Sequence, residues 1–477
     1  MKSKLSVLSK EEIEEIHRKS LNILENVGVL VRSLSARKLL SDAGGVIDSA
    51  RQVVKLPSSL VEECLRKQPS SFTLNGRTPE NDLSIEPGKT YAHPCGGCFN
   101  ILDSDSGESR IATTKDVELL TQLIDACDNI NQNDMLDYAG DVPQQVRDIH
   151  TIATMLRNTT KHCGVMAYTN RNLGIVLKLA AAVVGGEEEL RKKRIVSFGA
   201  SPTSPLELSE DVAEQIITAA NHTLPISILP CPLTGGTSPV TLAGTLLQEN
   251  IEILACIVIA QLVNPGNPTI YSPRPMCMDM RTGMAAGEVE YGLMSAAGVQ
   301  LAEYYQMPSD VYGLASDSKT MDEQAASEKA MIGLLPALAG ANFLSGAGNT
   351  EMGVTASLEQ LVIDNEMLGM IHRAVQGINV NNETLAAEII QRTSPGGHYL
   401  SDEHTRTYYS REHYIPALYD RNARADWQRL GSKDIVQRAH AKAKKLLSDH
   451  SVQPLDHDVE KKFKSILSEA DRDLLNH

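Results

Sequence analysis

Val196-Ser-Phe-Gly-Ala200 is a short apolar run that breaks into Ser201-Pro-Thr-Ser-Pro205. A helical stretch follows, and Ile226-Ser-Ile-Leu229 then opens the next run, which breaks into Pro230-Cys-Pro-Leu-Thr-Gly-Gly236. The same unit recurs eight times, with runs starting near Tyr91, Ile130, Gly164, Val196, Ile226, Ile270, Val311 and Phe343. Successive starts lie 30 to 44 residues apart, enough for a strand, a helix and two loops. The pattern predicts an α/β chain folded as a (β/α)8 TIM barrel. Chemistry in that architecture is sought in the eight loops that follow the strands, because they share one face.

The chain has 477 residues, 42% of them hydrophobic, which suits one large core with appendages. Sixty acidic against 45 basic side chains give a formal charge of −15, which disfavours nucleic acid and anionic membrane surfaces as partners. Met1 to Ile16 has no apolar signal core, and the most apolar helix, near Leu246 to Leu262, carries Gln248, Glu249, Glu252 and Gln261. A soluble, cytoplasmic protein is expected. Most of the eight cysteines sit inside apolar runs and read as reduced core thiols. Only His93-Pro-Cys95-Gly-Gly-Cys98 groups metal-ligand types, and with no second matching pair it reads as packing and turn, so no metal is assigned.

Residues 1–88 form an expected N-terminal helical and hairpin extension. Ser9 to Glu12 fits a capping box, Ile13, Ile16, Leu21 and Leu24 recur at helical spacing, and Gly28 supplies a stop. Helices are expected at about Ser35 to Asp42 and after Pro57, with short strands at Ser71 to Asn75 and Leu83 to Ile85 around an Asn-Gly turn. The barrel is assigned to 89–377. Within it Thr113 and Asp116 cap a helix, and Asn264-Pro265-Gly266 ends another. Residues 378–477 are expected to form a C-terminal helical cap, with a Tyr- and His-dense stretch from His398 to Tyr419.

Half of the eight strand-end windows are rich in proline or glycine, which holds a small ligand at little ordering cost. No phosphate loop or Gly-x-Ser-x-Gly elbow appears in them. Asp317 and Glu351 are the candidate acids or bases, with a helix cap and a first-turn acid as their plainer readings. Arg274 and Lys319 are candidate anion partners. Tyr91, Phe99, Tyr168, Phe198, Tyr271, Tyr312 and Phe343 fall on or beside the expected strands, where aromatics either fill the core or wall a cation.

Several long strings resemble the trimethylamine methyltransferase family, in particular its branch that lacks pyrrolysine. They include Ser201-Pro-Thr-Ser-Pro-Leu206, Pro239-Val-Thr-Leu-Ala-Gly244, Asp279-Met-Arg-Thr-Gly283, Ser316-Asp-Ser-Lys319, Glu359-Gln-Leu-Val-Ile-Asp-Asn-Glu366 and Pro395-Gly-Gly-His398. The resemblance runs through most of the chain. It implies a barrel enzyme that passes a methyl group from an amine to the Co(I) of a separate corrinoid protein. The stretch Val311 to Lys319, which corresponds to the region where the methylamine enzymes place pyrrolysine, contains only standard residues. That implies a quaternary amine substrate, glycine betaine first, with proline betaine or carnitine-like amines as alternatives.

A quaternary ammonium already carries its charge, so the departing amine is neutral and needs no proton. The protein then has to desolvate the cation, bind its carboxylate end and aim one methyl group. The expected cage is Phe99, Tyr168, Phe198 and Tyr312, and the expected carboxylate partners are Arg274, Lys319, Thr203 and the backbone near Gly236. His93, Asp317, Asn349 and Glu351 complete the ring. No Asp-x-His-x-x-Gly cobalamin string is present, so the corrinoid (cobalamin) is expected on the partner protein, with no cofactor bound in this chain. A homo-oligomer is compatible with this reading. Two alternatives stand beside it: a zinc-assisted thiol or alcohol methyltransferase using His93, Cys95 and Cys98, and a non-catalytic betaine-binding protein.

Overall fold

The computed structural model describes residues 4–94, 97–287 and 289–475. Eight short strands carry the expected runs: β1 (Tyr91–His93), β2 (Gln132–Asp134), β3 (His162–Val165), β4 (Val196–Ala200), β5 (Ile226–Ile228), β6 (Thr269–Tyr271), β7 (Asp310–Tyr312) and β8 (Phe343–Ser345). Each begins within two residues of its predicted start. β2 to β6 pair in chain order as a five-stranded parallel sheet. β7, β8 and β1 form a three-stranded parallel sheet in which Phe343 pairs with Tyr91 and Ser345 with His93. Hydrogen bonds link the two sheets at both junctions. The Tyr271 amide donates to Pro308 O at 2.9 Å, and the Asn131 amide donates to Ala92 O at 2.8 Å.

One long helix follows each strand: Thr114–Ala126, Arg147–Asn158, Asn170–Val184, Glu210–Asn221, Leu242–Val263, Val289–Tyr304, Glu323–Ala339 and Leu358–Gln376. Along β4 the pleat sends Val196, Phe198 and Ala200 into the apolar layer beneath the helices, while Ser197 and Gly199 face the other way. Leu242–Val263 is long and apolar enough to cross a membrane. It is instead a core helix. Glu249, Asn250, Glu252 and Gln261 are buried on it and are hydrogen-bonded to the surrounding protein, an arrangement that lipid would not supply.

The N-terminal layer follows the local rules of its sequence. Ser9 and Glu12 close the capping box of Lys10–Asn26, and Gly28, with φ 83°, ends it where an added Cβ would lie 2.4 Å from Val54 O. Phe72–Leu74 and Leu83–Ile85 pair as expected. A turn of 3-10 helix at Pro79–Asn81 lies in their connection, so the predicted tight Asn-Gly turn is absent from this hairpin. A sheet not expected from sequence joins Val29–Val31, Val46–Asp48 and Val53–Lys55 to Glu207–Leu208. It ties the extension to the loop after β4. At the other end, Ile435–Asp449 packs on Leu358–Gln376, and His457–Leu475 packs on Asn170–Val184.

Candidate functional site

A cavity of about 260 Å³ opens at the carboxyl ends of the strands. Its walls come from every strand or the loop after it: Gly97; Gln132, Asp134, Met135 and Tyr138; Gly164 to Met166; Ser197, Gly199 and Ser201; Ser227, Leu229 and Cys231; Arg274 and Met276; Asp310 and Tyr312; Met352 and Gly353. Tyr291, from the helix after β6, stacks on Tyr312 at 5.5 Å between ring centroids. Four methionines and three tyrosines give the cavity a polarisable, largely apolar lining suited to methyl groups and a diffuse positive charge.

Across its floor runs a chain of alternating charges. His93, 2% exposed, has Nδ1 3.1 Å from Asp134 and Nε2 3.1 Å from Asp310. The Arg274 Nη2 donates to the second Asp310 oxygen at 2.7 Å, and its Nη1 donates to the Asp310 carbonyl. Burial alone would hold His93 neutral, but the two facing carboxylates outweigh it and raise its pKa well above the ordinary histidine range. Burial likewise disfavours ionised Asp310, yet Arg274 and His93 overcome this and lower its pKa to about 2. Glu249 accepts from the Arg274 amide at 2.7 Å; burial pushes its carboxyl well above the usual range.

The local backbone makes room for this chain. A Cβ added at Gly164 would lie 2.1 Å from Asp134 Oδ1, so only glycine at that point of β3 lets the neighbouring carboxylate turn inward. Beyond β7 and β8, the fully buried Lys329 ties the loops together. Its Nζ donates to Asp364 at 2.8 Å and to Leu314 O at 3.0 Å, while the Gly348 amide donates to the same Asp364 oxygen.

Two of the twelve candidate residues, Arg274 and Tyr312, line the cavity. His93 lies between two of its carboxylates, and Asn349, fully buried, donates to the Tyr312 hydroxyl at 3.2 Å. Phe99 and Tyr168 stand outside. Phe99 stacks on Tyr138 at 5.2 Å and Tyr138 meets Tyr168 at 5.5 Å, a row of rings leading outward from the cavity. Phe198 is placed elsewhere: it is 1% exposed in the core beneath the helices, because it occupies the opposite pleat from Ser197.

The expected carboxylate partners also separate. The Thr203 backbone pairs with Glu207, the Gly236 amide donates to Leu233 O, and Lys319 donates to Asp317 O at 2.7 Å on the surface. None of the three lines the cavity. Asp317 accepts from the Gly287 amide at 2.7 Å, and burial raises its pKa. The cap of the next helix is Asp322 instead. Glu351 accepts from Thr355 at 3.0 Å and opens a strained turn in which Glu351 and Met352 both have φ 53°. The zinc reading meets a different geometry. His93 faces carboxylates, Cys98 packs among Ala92 and Ile101, and Cys95 lies outside the described residues.

Asp134, Asp310, Glu249, Gln132, Tyr138 and Tyr291 are the site residues that sequence reasoning missed. Asp134 and Tyr138 lie at the end of β2 and in the loop after it, where site residues are expected in this architecture. Asp310 opens the otherwise apolar strand β7, where a charged side chain was the available signal, whereas Gln132 lies in the polar run Asn131 to Asp134 and had none.

The profile described as "Trimethylamine methyltransferase (MTTB)" matches residues 2–472. The chain is 38% identical over 474 residues to trimethylamine methyltransferase MttB of Methanosarcina barkeri, covering 98% of this chain and 96% of that one. It is 36% identical over 468 residues to MttB of Desulfitobacterium hafniense, covering 98% and 94%. It is 30% identical over 476 residues to a glycine betaine methyltransferase of Desulfitobacterium hafniense, covering 99% and 98%. The fold is similar to the crystal structure of Methanosarcina barkeri monomethylamine methyltransferase, with a TM-score of 0.50 at 13% identity over 93% of each chain.

Proposed function

We propose, from the premise that the chain belongs to the trimethylamine methyltransferase family, that it removes a methyl group from a quaternary amine and delivers it to a corrinoid carried by a separate protein. The observation that carries this reading is the cavity itself. It offers three tyrosines, four methionines and the Asp134 carboxylate to one small ligand, a lining that matches an onium ion better than an anion. The eight-stranded barrel reading is supported by the parallel pairing of β8 with β1 and by the hydrogen bonds at both sheet junctions. The chain itself is read as three parts, at 1–88, 89–377 and 378–477.

The corrinoid, when present, supplies a reduced cobalt nucleophile. The chain's own residues do the rest. Asp134 balances the ammonium charge, Tyr291 and Tyr312 replace its water shell, and the closed floor fixes which N–CH₃ bond points to the mouth. As that bond breaks, its electron pair stays on nitrogen and a neutral tertiary amine leaves. No proton has to move, so neither Asp317 nor Glu351 is needed as an acid, in keeping with their placement outside the lining. The exposed rings of Phe99 and Tyr168 mark the approach from outside.

The test is methyl transfer from a panel of quaternary amines to free cob(I)alamin, read as methylcobalamin absorbance. Transfer from at least one of them supports the reading. Tight onium binding with no transfer to cob(I)alamin or to any co-purified corrinoid protein would favour the non-catalytic alternative.

A further inference from the structure

The proposed onium reading leaves the other end of the substrate undefined, and the cavity constrains it. Each cationic group at the cavity is already matched by a carboxylate. Arg274 is held by Asp310 through Nη2 at 2.7 Å and by carbonyls through Nη1. His93 is matched by the buried Asp310 at 3.1 Å and shares the more exposed Asp134, 24% accessible, with the cavity. A substrate carboxylate would have to take Arg274 from a partner that is itself buried. What the wall formed by β2, β4 and β5 offers is neutral and polar. Ser197 and Ser227 line it, and Ser201 donates to Leu229 O at 3.2 Å. Gln132 lines it too, at 5% exposure. The Gln132 Nε2 donates to Asp134 at 2.6 Å, while its buried Oε1 has no hydrogen-bond partner among the described residues. A buried acceptor left in this way calls for a donor.

We infer that the substrate is a quaternary ammonium alcohol without a carboxylate, its trimethylammonium head against Asp134 and the tyrosines and its hydroxyl on the Ser197, Ser227 and Gln132 wall. This rests on the quaternary-amine reading and narrows it. Methyl transfer follows the same balance: the carbon leaves nitrogen for the cobalt of the reduced corrinoid, and a neutral dimethylamino alcohol is released.

The test is calorimetric titration of the full-length protein with choline, glycine betaine and tetramethylammonium. Choline is expected to bind roughly tenfold more tightly than either of the others, since one matched hydroxyl is worth about that factor. In the Ser197→Ala/Ser227→Ala variant, with an unchanged melting temperature, choline should fall to within threefold of tetramethylammonium, whose own affinity stays the same. Glycine betaine binding as tightly as choline, or choline and tetramethylammonium binding equally to the unaltered protein, overturns the inference while leaving the onium reading intact. Failure of all three to bind overturns both.

Discussion

Asp310→Asn removes the carboxylate that holds two buried cations in place. Arg274 is 3% exposed and Asp310 4%, and their 2.7 Å contact has little water to replace it. Leaving one member of such a pair without its partner costs about 3–5 kcal/mol. Asparagine keeps one acceptor oxygen, which places the expected loss at the lower end, about 3 kcal/mol. Urea denaturation at pH 7 reads this directly. Arg274→Met in the same background should recover part of the loss, because a methionine in that space leaves no buried charge. The variant has a second consequence. With Asp310 neutral, the guanidinium can meet a ligand carboxylate, so the affinity for glycine betaine relative to choline should rise roughly tenfold, a conservative share of the Coulomb energy of such a contact. A stability loss below about 1 kcal/mol together with an unchanged betaine-to-choline ratio would refute the claim that Asp310 commits Arg274 and thereby shapes the substrate's tail.

Asp137 is 2% exposed, accepts from the Tyr138 amide at 2.7 Å, and has a second oxygen without a hydrogen-bond partner among the described residues. Burial raises its pKa to about 8. The folded state therefore keeps a proton that the unfolded chain releases near pH 4, and stability falls as pH rises from there to about 8, by up to roughly 5 kcal/mol. Asp137→Asn should match the unaltered protein near pH 4 and exceed it at pH 9 in urea midpoint; equal midpoints at both ends would contradict this. Gly164→Ala places a methyl group 2.1 Å from Asp134 Oδ1, so the carboxylate must swing away. Tetramethylammonium affinity should drop at least tenfold for a stability cost of about 1–3 kcal/mol, and calorimetry showing unaltered binding would remove Asp134 as the counter-ion. Tyr312→Ala should weaken onium binding about tenfold and Phe99→Ala less than threefold, because Tyr312 lines the cavity and Phe99 is 52% exposed outside it. The reverse order would move the site to the rim.

The strands were legible because their signal is local. An apolar run, a proline or glycine break and a helix at fixed spacing recur without reference to anything distant, and so do caps such as Ser9 with Glu12 and Thr113 with Asp116. The direction of each strand-end side chain was not, because one step along a strand exchanges cavity for core. Phe198 and Ser197 are neighbours in sequence and sit on opposite faces of β4. The backbone pairing of Glu207–Leu208 with Val29–Val31 spans about 175 residues and has no local cue. The charged floor was hidden for a related reason. His93, Asp134, Arg274 and Asp310 come from four units of the repeat, and nothing local to any one of them shows that the other three are its partners. Only the hydrogen-bonded junctions between the two sheets bring them within hydrogen-bond reach. Once there, none can be buried without the others, since each charge is tolerated only through its neighbour's opposite sign. An aspartate such as Asp310 opening an otherwise apolar strand is therefore a signal after all: an unsolvated carboxylate at that position requires a cation from another strand, and the search for its partner leads to Arg274 and His93.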